Sequence, residues 1–384
     1  MSKVNDDKQK FCQLGDVATY VNGYAFKPAD WGSEGLPIIR IQDLTGNSYQ
    51  ANYFSGEIDN RFRVYSGDIL ISWSASLGVF EWQGGDAVLN QHIFKVVFNK
   101  MDIDKKFFIH QLKMLLERFA SEAHGATMKH LTRPVFNALP FYAPSLSRQQ
   151  KIASVLERVS NLITLNQQQL SKFDQLAKSR FIEMFGDIVC NERIWPIYKF
   201  SNITSSRLGK MLDKKHQTGK NSFPYLANFN VRWFHFDLSE LNKMDFDEQD
   251  QQEFSLEPGD LLVCEGGEVG RCAVWRGEKS QCFFQKALHR VRCDKALVHP
   301  IYLAWWFKNS ADKNAFENIS GAKATIAHLP GIKLKQLNVP LPPIELQNEF
   351  AAFVEQLDKS KVTIRKSIEK LETTYRALLQ EYFG

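Results

Sequence analysis

Pro144-Ser145-Leu146-Ser147-Arg148-Gln149 opens a stretch that closes at Phe185-Gly186; 198 positions later, Pro342-Pro343-Ile344-Glu345-Leu346-Gln347 opens one that closes at Phe383-Gly384. Neither Pro nor Gly occurs between Gln150 and Met184 or between Gln347 and Tyr382, so nothing interrupts a helix in either stretch. In the first, alternating steps of three and four residues run through Ile152, Leu156, Val159, Ile163, Asn166, Leu170, Phe173, Ala177, Arg180 and Met184. In the second they run through Phe350, Val354, Leu357, Lys361, Ile364, Ile368, Leu371, Tyr375, Leu378 and Tyr382. These are the a and d positions of heptads, and most are apolar. The pattern predicts two helices of about forty residues, each roughly 60 Å long at 1.5 Å per residue. Asn166 and Lys361 break the seams, as polar residues that fix register do; a solvated Lys361 that lays its stem along the seam fits equally.

The duplication reaches back from these helices. Ser66-Gly67-Asp68-Ile69-Leu70 matches Pro258-Gly259-Asp260-Leu261-Leu262. In unbroken order, Gly78 then pairs with Gly270, Asn90 with Gln285, Val96 with Val291, Gly125-Ala126 with Gly321-Ala322, and His130-Leu131 with His328-Leu329. An ordered set of this kind marks an internal repeat. Strands are expected over 37–41, 68–71 and 92–98, with counterparts at 260–263 and 288–292, each sheet segment followed by a helix over 107–119 or 301–308. The fold class is therefore mixed α/β of the α+β kind. Roughly 150 residues separate the long helices, far more than a helix–helix turn, so a globular domain sits between them. Antiparallel pairing of the helices then separates two globular domains related by a pseudo-twofold axis. The expected segments are 1–147 (first domain), 148–187 (central spacer helix), 188–342 (second domain) and 343–384 (C-terminal spacer helix). An ordinary helical hairpin burying a core is the plainer alternative.

Composition excludes several classes. With 384 residues, 44% hydrophobic and 24% charged, the chain has globular composition. No stretch approaches the roughly eighteen apolar residues of a membrane span, and the start lacks the apolar core of a leader, so a cytoplasmic protein is expected. The six cysteines include no C-x-x-C pair, and are expected to be reduced thiols without metal. Leu139-Pro140-Phe141-Tyr142 and Leu341-Pro342-Pro343-Ile344 lack the acidic or amide residue that an amino-methylating motif needs. Gly219-Lys220 is followed by Asn221 and is no P-loop, and Glu265-Gly266-Gly267 lacks a nuclease lysine. No catalytic residue and no bound cofactor is expected. A formal charge of +5 permits nucleic-acid binding without demonstrating it.

The G-D-I-L and G-D-L-L turns, Gly267-x-x-Gly270-Arg271, the Gly125-Ala126-Thr127 and Gly321-Ala322-Lys323 segments and Pro340-Leu-Pro-Pro-Ile-Glu-Leu-Gln347 before a heptad helix resemble the specificity subunit of Type I restriction-modification systems. The resemblance spans nearly the whole chain. It implies two target-recognition domains that read the halves of a bipartite sequence in double-stranded DNA. It also implies helices that set the gap and dock methyltransferase subunits, two of them, with a restriction/translocase subunit joining through the complex. S-adenosylmethionine, ATP and Mg then belong to the partners. The first copy departs from the pattern, since Ser76-Leu77-Gly78-Val79-Phe80 lacks the arginine that follows Gly270.

Copies that read different sequences should differ where they read, and these differ most over 31–63 and 201–253. Arg40, Gln42, Asn47 and Tyr49 in the first copy, and Asn228, Asn230, Arg232 and Trp233 in the second, carry the donors or planes that base edges require. Arg207, Lys210, Lys214, Lys215 and Lys220 form a basic run suited to phosphate, or simply a solvated loop. Lys129 and His130, with Lys323 and His328, follow glycine and suit phosphate approach, and Arg271 is a further candidate. The rival readings are a protein-binding scaffold that reads no DNA sequence and an enzyme with an unrecognised site.

Overall fold

Gly67 and Gly259 stand at φ +86° and +99°, a conformation open to glycine at no steric cost, and each opens the same tight turn. In one, Asp68 accepts the backbone N–H of Tyr65; in the other, Asp260 accepts that of Glu257. The strands Ile69–Ser72 and Leu261–Cys264 then run into the interior with every residue buried. These turns are structural devices, as their apolar continuation suggests.

The computed structural model describes residues 11–46, 51–74, 76–122, 132–213, 217–316 and 328–384. The chain divides into two compact units, Met1–Gln167 with Arg365–Gly384, and Gln168–Ile364. Each long helix gives one end to either unit.

In the first unit an antiparallel sheet has the order Thr19–Asn22, Ile93–Val97, Ile69–Ser72, Gly78–Glu81. A second sheet sets Leu36–Ile39 parallel to Ala87–Leu89. The helix Lys105–Glu122 lays Phe107, Phe108 and Leu112 into a core with Tyr20, Phe94, Phe136 and Phe141. Ile152 and Leu156, from the start of the central long helix Leu146–Phe185, and Leu379 and Phe383, from the end of the C-terminal long helix Ile344–Phe383, complete it. Start against end makes the helices antiparallel there. Phe383 meets Phe107 edge-on at 5.3 Å, and Asn166 Nδ2 donates to Ser367 Oγ at 3.2 Å.

The second unit repeats this plan. Its antiparallel sheet has the order Thr204–Leu208, Leu288–Cys293, Leu261–Cys264, Cys272–Val274, and Ser222–Leu226 runs parallel to Phe283–Phe284. The helix Pro300–Asp312 buries Tyr302, Trp305 and Phe307 with Ala177, Phe181 and Phe185 from the end of the central helix and Phe350, Val354 and Leu357 from the start of the C-terminal one. Lys361 is no freely solvated lysine: its side chain is 12% exposed, and its ammonium sits 2.7 Å from Asp174.

All twenty seam positions are buried or half-buried, among them Ile152, Leu156, Val159, Ile163, Leu170 and Phe173 on the first helix and Val354, Leu357, Ile364, Ile368, Leu371 and Leu378 on the second. Two glutamines fix where these helices begin. Gln149 accepts the backbone N–H of Asp104 at 2.9 Å and donates to Pro144 O; Gln347 accepts that of His299 at 2.9 Å and donates to Pro342 O. The expected pairing of Gly78 with Gly270 is off by one. Ser72 pairs with Gly78, while Cys264 donates its backbone N–H to Arg271, so Gly78 stands where Arg271 does.

Candidate nucleic-acid interface

Base reading requires side chains whose polar atoms remain available after folding, and the second unit sorts its candidates by that measure. Asn230 fails it. It is 1% exposed, its Oδ1 accepts the Ala227 N–H, and its Nδ2 donates to the carbonyls of Asp237 and Glu240. Asn230 is thus a buried cap and not a base reader; the sequence could not distinguish it from Asn228, two residues away. In the first unit Asp43 does the same work, accepting the Arg40 N–H at 2.8 Å.

Arg207 and Lys210 are not bare cations. Arg207 pairs with Glu253 and lies 5.8 Å from the Phe254 ring. Lys210 pairs with Asp250, donates to Asp245 O at 2.7 Å and lies 5.2 Å from the Phe246 ring. Both carboxylates come from the short helix Glu248–Glu253, whose start is capped by Asp247. The ion pairs line an open cavity of about 820 Å³ that also takes in Glu265, His289 and Lys335. Burial holds the His289 imidazole below its ordinary value, and its Nε2 lies 3.1 Å from Leu329 O. His328 is exposed and bridges Gly266 through the backbone; Lys220 is exposed.

A second cluster gathers around Arg271. Its Nη2 donates to Asn228 O at 3.0 Å and to Asn228 Oδ1, while Asn228 Nδ2 donates to Gly266 O at 2.8 Å. Trp233 donates its indole N–H to Glu268, and Arg232 lies 3.8 Å from Asp237 on the exposed surface. The Lys308 ammonium lies 5.2 Å from the Trp233 ring. Structure thus brings together Asn228, Arg271 and Trp233, which sequence reasoning named separately. It adds Glu268, and Phe229 at 44% exposure, which that reasoning missed. An aromatic residue beside Asn228 was the available signal for Phe229.

In the first unit the Arg40 guanidinium is 5.8 Å from the Trp31 ring and 3.2 Å from Asp43. The Gln42 amide, oriented with its oxygen toward the guanidinium, accepts from Arg40 Nη2 at 2.9 Å. Asn47, Tyr49, Lys129, His130, Lys214, Lys215 and Lys323 lie outside the described residues. Among the described residues no group of His, Cys, Asp and Glu is placed to hold a metal ion, and no helix is long and apolar enough to cross a membrane.

The family model of the Type I restriction modification DNA specificity domain matches residues 6–174 and, a second time, residues 194–373. The chain belongs to that family. Each match covers one copy of the repeat, so the family's domain is present twice. The chain is similar to the EcoBI specificity subunit of Escherichia coli, 23% identical over 404 residues, covering 96% of this chain and 84% of the relative. It is similar also to the MjaVIII specificity subunit of Methanocaldococcus jannaschii, 20% identical, covering 96% and 90%. Among solved structures, the S subunit from M. genitalium shares the fold with a TM-score of 0.51 at 15% identity, covering 100% of this chain and 98% of that one. A structure described for complex assembly and conformational transition of the type I R-M system gives a TM-score of 0.55 at 14% identity, covering 97% of each chain.

Proposed function

We propose that this chain is the DNA-reading subunit of a Type I restriction-modification complex, without catalytic chemistry of its own, and that its two units read the two halves of a bipartite site. The observation that carries this is the doubling of a DNA specificity domain in units whose main antiparallel sheets share one topology and whose candidate surfaces carry different side chains. Arg40, Gln42 and Trp31 occupy one, and Phe229 and Trp233 the other, beside an Arg271 held by Asn228. A few base-edge contacts per unit, each discriminating by about 1–3 kcal/mol, give one small domain only a short word. Two linked units read a longer one, because the second half-site binds at high effective concentration.

The long helices suit the docking of two methyltransferase subunits, through which a restriction/translocase subunit joins. S-adenosylmethionine, ATP and Mg then reside on those partners, and the assembly works in the cytoplasm, where the duplex is. The test is to express the chain with its methyltransferase and map modified bases across the host genome. A two-part motif with a fixed gap is the expected result; unmodified DNA, together with no selection from random duplexes by the assembled complex, overturns it and favours a protein scaffold.

A further inference from the structure

We propose that Glu268 is a base-reading acceptor: its carboxylate receives the exocyclic amino group of one cytosine or adenine in the half-site of the second unit. The inference rests on the DNA-reading function and names a residue that carries it.

Glu268 stands on the loop 265–270, between the strands Leu261–Cys264 and Cys272–Val274. Gly267 and Gly270, both at φ +78°, let the loop turn sharply around it, and the side chain projects at 51% exposure. Two donors orient its carboxylate. Trp233 Nε1 donates to Oε1 at 2.5 Å, and Arg271 Nη1 approaches Oε2 at 3.5 Å. The donors are themselves held. Arg271 is tied through Nη2 to Asn228, and Phe234, next to Trp233, donates its N–H to Cys272 O and stacks on Trp305 at 4.4 Å. Phe234 keeps φ +66°, a costly conformation for a bulky residue, sustained here by that stacking.

A carboxylate only accepts, and with one contact each to Trp233 and Arg271 the two oxygens of this half-exposed side chain keep acceptor capacity. On a surface that meets DNA, phosphate repels such a group. The donors that remain in the major groove are cytosine N4–H₂ and adenine N6–H₂, while guanine O6 and thymine O4 place an acceptor against it. The carboxylate therefore discriminates both by attraction and by repulsion. Its setting belongs to one unit alone: Gly78 takes the place of Arg271 in the first, and the corresponding stretch 73–77 is one residue shorter and has no acidic residue. A feature confined to one unit suits the reading of one half-site.

The test is selection from a randomised duplex pool by the full chain assembled with its methyltransferase subunits, comparing wild type with E268Q and E268A, each checked for an unchanged melting temperature. Wild type should restrict one position of one half-site to cytosine or adenine. E268A should weaken that preference about ten-fold and leave the other positions alone, with E268Q between the two. Unchanged preferences at every position, or an equal loss at all of them, overturns the role of Glu268 while leaving the DNA-reading function standing. A wild-type complex that selects no sequence overturns both.

Discussion

His110 Nδ1 lies 2.6 Å from the Tyr375 hydroxyl, joining the helix Lys105–Glu122 to the C-terminal long helix inside the first unit. Burial pushes the tyrosine up to about 12, so the hydroxyl keeps its proton beside the imidazole. The same burial outweighs Glu157, 3.3 Å from Nε2, and lowers His110 from 6.5 to about 4. At neutral pH the Glu157 contact is therefore not an ion pair.

The sign of the pH effect follows. A histidine held below its ordinary value binds fewer protons folded than unfolded between those two values. Its contribution to stability is complete above pH 6.5 and is lost as pH falls from 6.5 toward 4. H110N should lower stability at pH 7.5 and flatten this part of the profile, measured by urea unfolding at a series of pH values. A parallel profile for H110N would show that other groups set the slope.

Gln347 joins the backbone of three residues and is fully buried, so Q347A should cost about 1–3 kcal/mol. Q149A, whose amide makes the same set of bonds to Asp104, Asp102 and Pro144, should cost a similar amount. Chemical denaturation of the two variants checks this, and a loss below a few tenths of a kcal/mol in either would mean that water replaces the side chain.

Phe383 is 7% exposed and packs against Phe107, so F383A should destabilise the first unit by about 3–5 kcal/mol. Hydrogen exchange on the helix Lys105–Glu122 reports it directly. Unaltered protection there would separate the helix end from the core.

Gly23 and Gly209 press their Cα atoms against the backbone of Asn90 and Gln285, where an added Cβ would stand 2.1 and 2.3 Å from the carbonyl oxygens. Backbone cannot swing aside as a side-chain tip does. G23A and G209A should each lose about 1–3 kcal/mol, read by thermal unfolding.

Asp250 and Glu253 neutralise Lys210 and Arg207. Replacing both with D250N and E253Q should strengthen binding to random duplexes and steepen the salt dependence, by up to about two in log–log slope. A titration at several salt concentrations decides; an unchanged slope removes these cations from the interface.

Much of the architecture was legible because it is written in periodicity and order. The heptads located both long helices, and the Gly67-Asp68 and Gly259-Asp260 turns located equivalent buried strands. Phe181, Phe185, Leu379 and Phe383 escaped because they flank the seam and close the domain cores, a tertiary role that a seven-residue pattern does not encode. The one-residue slip at Gly78 arose because glycine matched glycine in sequence, whereas the ladder is set by hydrogen bonds. The interface was legible only as residue types. Whether an asparagine faces inward, like Asn230, or holds an arginine, like Asn228, depends on loop conformation that no spacing rule carries. Glu268 was invisible because one carboxylate among 43 acidic residues carries no signal until Trp233 and Arg271 are seen to grip it.

Leu379 and Phe383 finish a core whose other wall holds Leu156. During synthesis, roughly 220 residues separate these partners, which at about 5–20 residues per second is a delay of about 10–40 s. The N-terminal half therefore waits, its floor open, while the second half emerges from the ribosome. A nascent chain of this design leaves that apolar surface uncovered for the whole interval.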